Sequence, residues 1–271
     1  GFAGTSNLEA GRRYGLPTIG TAAHAFTLLH DDEVSAFAAQ VASLGVETTL
    51  LIDTYDVRAG VQHALEAAGT SLGSVRLDSG DLAVQALEVR AQLDAAGARD
   101  TKIVVTSDLD EYAIAALAVA PVDSYGVGTS LVTGSGAPTC GMVYKMVSRE
   151  RADGTMQAVA KVSQSKTSVG GLKAAARRLG PDGRATEEVL VTGDEPAVRA
   201  WRERQWAAPD EGLRPLHVPL VRDGVADDRW TGAAGVAAAR TRHTASRDEL
   251  PRGARRLSAD EPALPTVTLI L

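Results

Sequence analysis

Short apolar runs alternate with helix-like segments over residues 1–148. Residues 48–52 and 102–106 are rich in β-branched and aliphatic side chains, which predicts buried strands. In residues 31–44 the apolar side chains recur at three- and four-residue spacing, which predicts a helix packed on those strands. This alternation indicates a parallel sheet whose strands are joined by right-handed helical crossovers.

The predicted strands are too few to close an eight-stranded barrel. The chain begins at Gly1 without an initiator Met, so we expect a fragment or trimmed chain that lacks the remaining strands. Several predicted helices end at a glycine or proline. The pattern predicts strands at 2–5, 19–23, 48–52, 74–77, 102–106 and 124–127, and helices at 31–44, 57–68, 82–96 and 109–119.

The pattern changes near residue 140. Short strands separated by polar or glycine-containing turns predict an antiparallel accessory region, and a helix rich in Ala and Arg follows at 231–248. We therefore divide the chain into an α/β barrel portion with the active-site loops, 1–148, and an accessory β-rich region with a C-terminal helical extension, 149–271. The accessory strands are expected at 142–148, 157–162, 187–191 and 216–221.

The composition argues against several classes of function. The net charge of −6 over 271 residues argues against nucleic acid as the main partner. The single Cys140 excludes an intramolecular disulfide framework and a cysteine-rich zinc site. The chain contains no apolar run of about 18 residues or more and no charged-then-apolar leader. We therefore expect a cytoplasmic protein that binds neither nucleic acid nor membrane.

Polar residues stand at the ends of successive predicted strands. The carboxyl ends of parallel strands meet on one face of a barrel, and active sites are built there. Clusters rich in His, Asp, Arg and Gly at these ends therefore predict an enzyme that acts on a phosphorylated small molecule. The clusters are Gly20-Thr21-Ala22-Ala23-His24, Asp53-Thr54-Tyr55-Asp56, Arg76-Leu77-Asp78-Ser79-Gly80-Asp81, Thr106-Ser107-Asp108 and Tyr125-Gly126-Val127-Gly128-Thr129-Ser130.

His24 and Asp53 are the first candidates for catalysis. A neutral imidazole at a strand end acts as a general base or nucleophile, and the alternative is a hydrogen-bonded structural histidine. Asp53 directly follows a buried strand and would orient an imidazole or hold Mg²⁺ through water. Asp56 suits the N-cap of the next helix better.

The densest cluster is residues 76–81. Strand alternation places Arg76 and Asp78 on the same side of the sheet. There the guanidinium would bind a carboxylate or phosphate, and the carboxylate would accept from ribose hydroxyls or bind metal. The alternative is an internal Arg76–Asp78 ion pair. Ser79-Gly80-Asp81 then offers a helix cap and free backbone N–H groups.

The last cluster contains two glycines that allow a phosphate to approach the backbone. Gly126 and Gly128 precede the hydroxyl of Thr129, and phosphate sites recur after the late strands of such barrels. A plain turn is the alternative. Ser107 and Asp108 end the preceding strand, where Asp108 would bind ribose or cap the following helix.

Taken in order, these clusters resemble the motifs of the nicotinate phosphoribosyltransferase family, a branch of the type II phosphoribosyltransferases. Phe2-Ala3-Gly4-Thr5-Ser6-Asn7 adds a further match at the start of the chain. The resemblance implies an α/β fold, an irregular, incomplete TIM-like barrel with a β-rich accessory domain. It also implies a reaction, in which nicotinate and phosphoribosyl pyrophosphate give nicotinate mononucleotide and pyrophosphate. ATP hydrolysis is coupled to this step of NAD salvage.

The resemblance implies roles for individual residues. His24 matches the histidine that ATP phosphorylates, and Asp53 and Asp78 match catalytic carboxylates that also hold Mg²⁺, directly or through water. A neutral Ser6 suits an anionic nicotinate ring, because relatives that use nicotinamide have an Asp there. The residues expected to bind substrate are Thr5, Ser6, Arg76, Ser79, Ser107, Asp108, Gly126, Gly128 and Thr129.

The resemblance further implies a homodimer with a shared active site. Two alternatives stay open. In one, quinolinate or nicotinamide replaces nicotinate as the substrate. In the other, the chain is a truncated domain that binds ligands or pairs with a full-length subunit without turnover.

Overall fold

The structure is a computed structural model, and the residues it describes group into two compact units. One unit is continuous, Ile19–Gly141, and the other joins Gly1–Thr18 to Met142–Leu271. In the part of the chain that the structure describes, no helix is both long and apolar enough to cross a membrane. The described residues are 2–139, 145–160, 169–258 and 261–271.

Helices and short strands alternate from β1 to α7, and the strands before and after α8 follow one another directly. The described α-helices, in chain order, are α1 (Leu8–Tyr14), α2 (His24–Leu28), α3 (Glu33–Leu44), α4 (Val57–Ala68), α5 (Leu82–Ala95), α6 (Glu111–Leu117), α7 (Thr129–Thr133), α8 (Glu195–Ala207) and α9 (Gly232–Glu249). Short 3-10 helices follow α4 and lie on both sides of α9. The described strands are β1 (Thr49–Leu51), β2 (Ser74–Leu77), β3 (Lys102–Val105), β4 (Ser124–Tyr125), β5 (Ser148–Glu150), β6 (Met156–Ala158), β7 (Ala174–Leu179), β8 (Ala185–Thr192), β9 (Leu213–Pro215), β10 (Val221–Arg222), β11 (Val225–Ala226) and β12 (Thr266–Ile270).

Four parallel strands form the sheet of the continuous unit, in the order β1-β2-β3-β4. Arg76 pairs with Leu51 on one side and Val104 on the other, and Val105 pairs with Tyr125, so the carboxyl ends of the strands share one edge. Helices α4, α5 and α6 join consecutive strands. The expected parallel α/β arrangement is confirmed, and among the described residues no pairing closes the sheet into a barrel.

An aliphatic core holds the helices on this sheet. Leu50, Val75 and Ile103, one from each of the first three strands, are fully buried, and they cluster with Val61 of α4 and Leu93 of α5. Burying each side chain of this kind stabilises the folded chain by about 1.5–3 kcal/mol relative to leaving it in water. The strands that carry the polar clusters are therefore anchored by their own apolar residues.

Aspartates cap the helices that lie against this sheet. Asp32, Asp56, Asp81 and Asp110 each accept a hydrogen bond from a backbone N–H in the first turn of α3, α4, α5 and α6. The predicted capping role of Asp56 is confirmed. The cap of α6 is Asp110, so the capping alternative for Asp108 is wrong.

Two strands predicted near the start of the chain do not form in the described structure. Residues 2–5 contribute a single bridge, Thr5 with Thr18, because Asn7 caps α1 and turns the chain into a helix. Residues 19–23 form no strand, and α2 begins directly after them. Gly20, Ala22 and Ala23, three of the five residues of this second segment, are of types that are depleted in strands.

The discontinuous unit contains a mixed sheet with the order β12-β8-β7-β9. β7 is antiparallel to β8 and β9, and β12 is parallel to β8. The strands of this sheet lie in the part of the chain where accessory strands are expected, but the sheet is mixed rather than wholly antiparallel. The strand predicted at 187–191 is part of β8, whereas β7 and α8 are elements that the sequence pattern does not predict.

Other strand predictions in this unit fail or lie outside the description. No strand forms over residues 216–220, which include Pro219, a residue that lacks the backbone N–H that pairing requires. The strand predicted at 142–148 is described only from residue 145, and the one at 157–162 only to residue 160. Within their described parts, Ser148 of the first segment begins β5, and residues 157 and 158 of the second belong to β6, which pairs with β5 in antiparallel orientation.

A buried charge network fastens α9 to this mixed sheet. Arg177 of β7 donates to Glu188 of β8 at 2.7 Å and to Glu249 of α9 at 3.1 Å. Arg214 of β9 donates to the same oxygen of Glu249 at 2.5 Å. Buried charges are costly unless they are paired. A shift of α9 that moved Glu249 away from Arg177 and Arg214 would leave these charges unpaired, so the network fixes the position of α9 on the sheet.

The unit boundaries differ from the predicted division at 148 and 149. Residues 1–18 group with the C-terminal part of the chain because α1 packs on α9. A Cβ at Gly15 would lie 3.1 Å from Cβ of Ala233, and Arg240 donates to the backbone oxygen of Ala3 at 3.4 Å. Local sequence patterns do not predict contacts over such a separation.

Gly60 lies where α4 passes close to the end of β1. A Cβ added at Gly60 would overlap the backbone oxygen of Ile52. Gly60→Ala should therefore push α4 away from the sheet and lower the free energy of unfolding by about 1–3 kcal/mol. Urea denaturation measures this change, with Gly253→Ala as control, since its Cβ would meet no atom within 4 Å. Equal stability of the two variants would contradict the close packing of α4.

Candidate active site

Residues from several elements meet at the carboxyl edge of the parallel sheet. Asp53 follows β1, Arg76 lies in β2 with Asp78 directly after it, and Thr106 follows β3. His24 is the first residue of α2, and its Nε2 lies within 4.0 Å of both carboxylates. The structure thus brings together the predicted catalytic residues His24, Asp53 and Asp78, with Arg76 beside them.

Asp53 is the most buried side chain of this cluster, with 2% of its surface exposed. Its Oδ2 accepts from the backbone N–H of Asp78 at 2.7 Å and from the backbone N–H and hydroxyl of Ser79 at 3.0 and 3.1 Å. Its Oδ1 is buried and has no hydrogen-bond partner among the described residues. An unpaired buried carboxylate oxygen is costly, so Oδ1 is the atom of this cluster best prepared for a cation or a proton donor.

The two ring nitrogens of His24 have different surroundings. Nδ1 lies 3.1 Å from the hydroxyl of Thr54. Nε2 lies 4.0 Å from Asp53 Oδ1 and 3.9 Å from Asp78 Oδ2. Two nearby carboxylates favour a proton on Nε2, which leaves the Nδ1 lone pair to accept from Thr54. The side chain is 39% exposed, so a substrate can reach it.

Arg76 is held by three acceptors. Its Nε donates to the Thr106 hydroxyl at 2.7 Å, its Nη2 donates to Asp78 Oδ1 at 2.6 Å, and its Nη1 donates to the Thr21 hydroxyl. Thr106 in turn donates its hydroxyl proton to Asp78 Oδ1. The internal Arg76–Asp78 ion pair, which the sequence offers as an alternative, is therefore present. These bonds use three of the five guanidinium N–H donors, so two can serve a ligand.

Asp78 ionises more readily than a free aspartate. Partial burial raises the pKa of Asp78, but hydrogen bonds from Thr106 and Arg76, together with the charge of Arg76, outweigh burial. The pKa therefore lies below the ordinary value of 3.8. At neutral pH the group is a carboxylate that is paired with Arg76 and lies close to His24.

The loop after β3 carries Ser107 and Asp108, and both residues are exposed. Ser107 has a φ of 137°, which is rare for a residue with a side chain and marks a strained turn. Among the described residues, no hydrogen bond joins either side chain to Arg76 or His24. Their contacts with a ribose phosphate stay predictions.

The segment after β4 carries the two predicted glycines. Gly126 donates its backbone N–H to Val105 at 2.9 Å, which extends the pairing with β3. A Cβ at Gly128 would meet no atom within 4 Å, so the space beside it is open. Thr129 begins the short α7. A phosphate held by this segment stays a prediction.

Thr5 and Ser6 belong to the discontinuous unit. The backbone N–H of Thr5 donates to Pro17 at 3.0 Å, and its hydroxyl accepts from the backbone N–H of Asn7 at 3.1 Å. Ser6 is exposed. The structure thus gives Thr5 a local role in the turn before α1, and substrate contacts of both residues stay predictions.

Three threonine hydroxyls in the cluster escape prediction from the sequence. Thr21 and Thr106 accept from Arg76, and Thr54 bonds to His24. Each of the three stands within three positions of a predicted catalytic or binding residue at a strand end, and this adjacency is the signal that could have found them. A hydroxyl both donates and accepts, so it can link groups of opposite hydrogen-bonding character.

The carboxylates of the cluster suit Mg²⁺. Asp53 Oδ1 and Asp78 Oδ2 both approach the same nitrogen of His24. Within the described ranges, no three or more His, Cys, Asp or Glu side chains are arranged to hold a metal by themselves. Mg²⁺ is commonly bound by one or two carboxylates, with waters and substrate phosphates completing its shell. The donor set therefore fits Mg²⁺ in the presence of a phosphorylated substrate.

Comparisons with known proteins assign this chain to a family, although no protein-family model matches it. The nicotinate phosphoribosyltransferase pncB1 of Mycobacterium tuberculosis is 50% identical over 279 residues, which cover 99% of this chain and 58% of that relative. This chain belongs to the nicotinate phosphoribosyltransferase family. The human nicotinate phosphoribosyltransferase is 31% identical over 289 residues, which cover 82% of this chain and 53% of that relative. The chain spans little more than half the length of these curated relatives.

Solved structures share the fold. Nicotinate-nucleotide pyrophosphorylase from Pyrococcus furiosus has a TM-score of 0.60 at 22% identity, and the match covers 92% of this chain and 59% of that one. Human nicotinic acid phosphoribosyltransferase has a TM-score of 0.57 at 24% identity, covering 99% and 63%. At such identities the likeness concerns the fold alone, and it confirms the expected α/β class.

Asp53→Ala should loosen the turn after β2. The substitution removes the acceptor of three hydrogen bonds and leaves the backbone donors of Asp78 and Ser79 without it. We expect the free energy of unfolding, measured in urea, to fall by about 1–3 kcal/mol. Asp53→Asn keeps an oxygen that can replace Oδ2, so it should recover most of the loss. Equal destabilisation by both variants would argue against this role of Oδ2.

The lowered pKa of Asp78 predicts a pH dependence of stability. Its folded pKa lies below the ordinary value of 3.8, so its ionised form stabilises the folded chain fully above that pH. The contribution is lost as the pH falls through the folded pKa. The stability difference between wild type and Asp78→Asn should therefore shrink below about pH 4. Thermal denaturation of both proteins, followed from about pH 3 to about pH 7, measures this difference. A constant difference, matching that of the exposed control Asp108→Asn, would refute the lowered pKa.

Proposed function

We propose that this chain carries nicotinate phosphoribosyltransferase activity, or the catalytic portion of it. The reaction joins the ring nitrogen of nicotinate to C1 of the phosphoribosyl group and releases pyrophosphate. It forms nicotinate mononucleotide for NAD salvage, and ATP hydrolysis drives it through a phosphorylated His24. The placement of His24 beside Asp53 and Asp78, at the sheet edge that also holds Arg76, is the observation that carries the proposal.

Arg76 is proposed to bind anionic parts of the substrates. Three acceptors hold the guanidinium plane, and its two other N–H donors would bond to a carboxylate or phosphate. The side chain is 20% exposed, and a charge-assisted hydrogen bond in partly desolvated surroundings is stronger than one in water. Holding two substrates in a reactive geometry supplies much of the rate enhancement of a transfer reaction.

The glycosyl transfer step develops positive charge on the ribose. The bond from C1 to a pyrophosphate oxygen breaks while the bond from C1 to the nicotinate nitrogen forms. Fixed carboxylates beside the ribose would stabilise the intervening oxocarbenium-like state. Asp78 is ionised at neutral pH because its pKa is lowered, so it can take this role together with Asp53.

His24 is proposed as the nucleophile toward ATP. A bond forms from a ring nitrogen to the terminal phosphorus, the bond to the bridging oxygen breaks, and ADP leaves. Nε2 retains its proton beside Asp53 and Asp78, so Nδ1, which lies near Thr54, supplies the lone pair. Water later hydrolyses the phosphohistidine to free phosphate. The added negative charge would alter pyrophosphate binding and so link ATP hydrolysis to product formation.

Mg²⁺ is the proposed metal of this site. Asp53 Oδ1 and Asp78 Oδ2 would hold it directly or through water, as the buried and unpaired Oδ1 of Asp53 supports. When bound, the ion neutralises charge on the pyrophosphate group.

A cytoplasmic homodimer with a shared active site is proposed from the family resemblance. The proposed substrates are nicotinate, phosphoribosyl pyrophosphate and ATP. The neutral Ser6 favours nicotinate over nicotinamide, because an Asp in its place would repel the nicotinate carboxylate.

Product formation tests the proposal. The longest natural form of this chain is incubated with radiolabelled nicotinate, phosphoribosyl pyrophosphate and Mg²⁺, with and without ATP. We expect nicotinate mononucleotide, in larger amounts with ATP. His24→Ala should abolish the ATP stimulation and lower kcat/KM by roughly 100-fold or more, the scale on which a catalytic proton-transfer or nucleophilic group acts. The exposed His217→Ala is the matched control, and ATP stimulation that survives in His24→Ala would reject the phosphohistidine.

Parallel incubations test the alternatives. Product with quinolinate or nicotinamide but none with nicotinate would reject the nicotinate assignment and leave the family assignment standing. If none of the three bases gives product, size measurement decides whether the chain pairs with a longer subunit. Such pairing without turnover would support the non-catalytic alternative.

A further inference from the structure

The side-chain position of Gly126 faces Thr106. Gly126 follows β4 and bonds through its backbone N–H to Val105, which aligns it with the end of β3. A Cβ built on Gly126 would lie 2.6 Å from Cγ2 of Thr106, well inside van der Waals contact. The methyl group of Thr106 therefore occupies the space that any larger residue at position 126 would need.

Backbone conformation does not explain the glycine at this position. Gly80 and Gly134 have φ values of 89° and 62°, in the region that favours glycine. Gly126 is not among the described residues with positive φ, so a residue with a side chain could adopt its backbone. The physical reason for a glycine at 126 is that the methyl group of Thr106 leaves no room for a Cβ there.

Thr106 must keep one orientation to serve both of its partners. Its hydroxyl accepts from Arg76 Nε at 2.7 Å and donates to Asp78 Oδ1. A threonine Cβ carries the hydroxyl and the methyl group at a fixed angle, so the orientation that keeps both hydrogen bonds directs the methyl toward Gly126. Rotation that relieves a contact at the methyl would move the hydroxyl away from both partners.

We propose that Gly126 is a positioning residue for Arg76 and Asp78 that acts through Thr106. The empty side-chain position of Gly126 admits the Thr106 methyl group, and the Thr106 hydroxyl then holds the guanidinium of Arg76 to the carboxylate of Asp78. The effect on geometry stands on the contacts alone. The effect on turnover rests on the proposed function.

This role differs from the phosphate contact that the sequence pattern predicts for Gly126. In a phosphate site, glycine lets the ligand approach the backbone, and the side chain at position 106 is irrelevant. In the positioning role, glycine is required only while residue 106 carries a methyl group. Thr106→Ser removes the methyl and keeps the hydroxyl, so it separates the two explanations.

The Nε–H group of Arg76 reports the contact directly. In a chain with isotope-labelled arginine, its NMR signal is identified by its loss in Arg76→Lys, and its hydrogen exchange is then measured. Thr106→Val keeps the shape but removes the hydroxyl, and it should speed the exchange by roughly 10-fold, the scale of one lost hydrogen bond. Gly126→Ala should give a similar acceleration. The double variant Gly126→Ala/Thr106→Ser should exchange at the rate of Thr106→Ser alone.

Turnover gives a second readout. Thr106→Val and Gly126→Ala should each lower kcat/KM for nicotinate by roughly 10- to 100-fold, as expected for losing a hydrogen bond between charged groups and a hydroxyl. The double variant should recover most of the loss. If the unsubstituted chain forms no product, the proposed function fails, and the exchange rates still decide whether Gly126 positions Arg76.

The control is Gly253→Ala, whose Cβ would meet no atom within 4 Å, and it should leave the Arg76 signal unchanged. Slow exchange retained in Gly126→Ala would overturn the proposal. So would a double variant that exchanges as fast as Gly126→Ala. If Gly126→Ala does not fold, Thr106→Ser must restore folding in the double variant, and a double variant that stays unfolded overturns the proposal as well.

Discussion

Asp53 joins the ends of two strands through one carboxylate oxygen. Oδ2 accepts hydrogen bonds from Asp78 and Ser79, so the turn after β2 cannot move without leaving backbone donors unpaired. The same turn carries Asp78 to Arg76 and to the neighbourhood of His24. Oδ2 of Asp53 therefore stabilises the turn, whereas Oδ1 has no hydrogen-bond partner among the described residues and is available to a ligand. The remaining contacts of the site are arranged around this link.

The charge balance of the cluster suits a cationic intermediate. Asp53 and Asp78 contribute two formal negative charges, Arg76 contributes one positive charge, and a neutral His24 contributes none, which leaves a net charge of −1. Excess negative charge in a partly buried site favours a divalent cation and a developing oxocarbenium ion. It disfavours phosphates, so a phosphorylated ligand at this cluster would depend on the positive charge of Arg76. Thr21, Thr54 and Thr106 orient the charged groups without changing this balance.

Local elements of the continuous unit can be predicted from the sequence, whereas tertiary partners largely cannot. The strand ends at Asp53 and Asp78 are visible because apolar, β-branched runs stop there, and parallel pairing then brings their side chains to one edge. The role of Thr106 depends on Arg76, a partner 30 positions away; its place at a strand end marks Thr106 as a candidate but does not identify that partner. Ala174–Leu179 is rich in alanine and arginine, which favour helices, and it becomes a strand through pairing with β8 and β9.

The two units place different demands on the chain while it is being made. In the continuous unit, consecutive strands are joined by one helix, so its contacts close short loops. The discontinuous unit needs contacts such as that of Arg240 with Ala3, which are 237 positions apart, and closing such a loop costs more entropy and takes longer. The cluster around His24 can therefore assemble on the ribosome soon after position 126 emerges. Residues 1–18 gain the packing of α1 on α9 only once α9 is available.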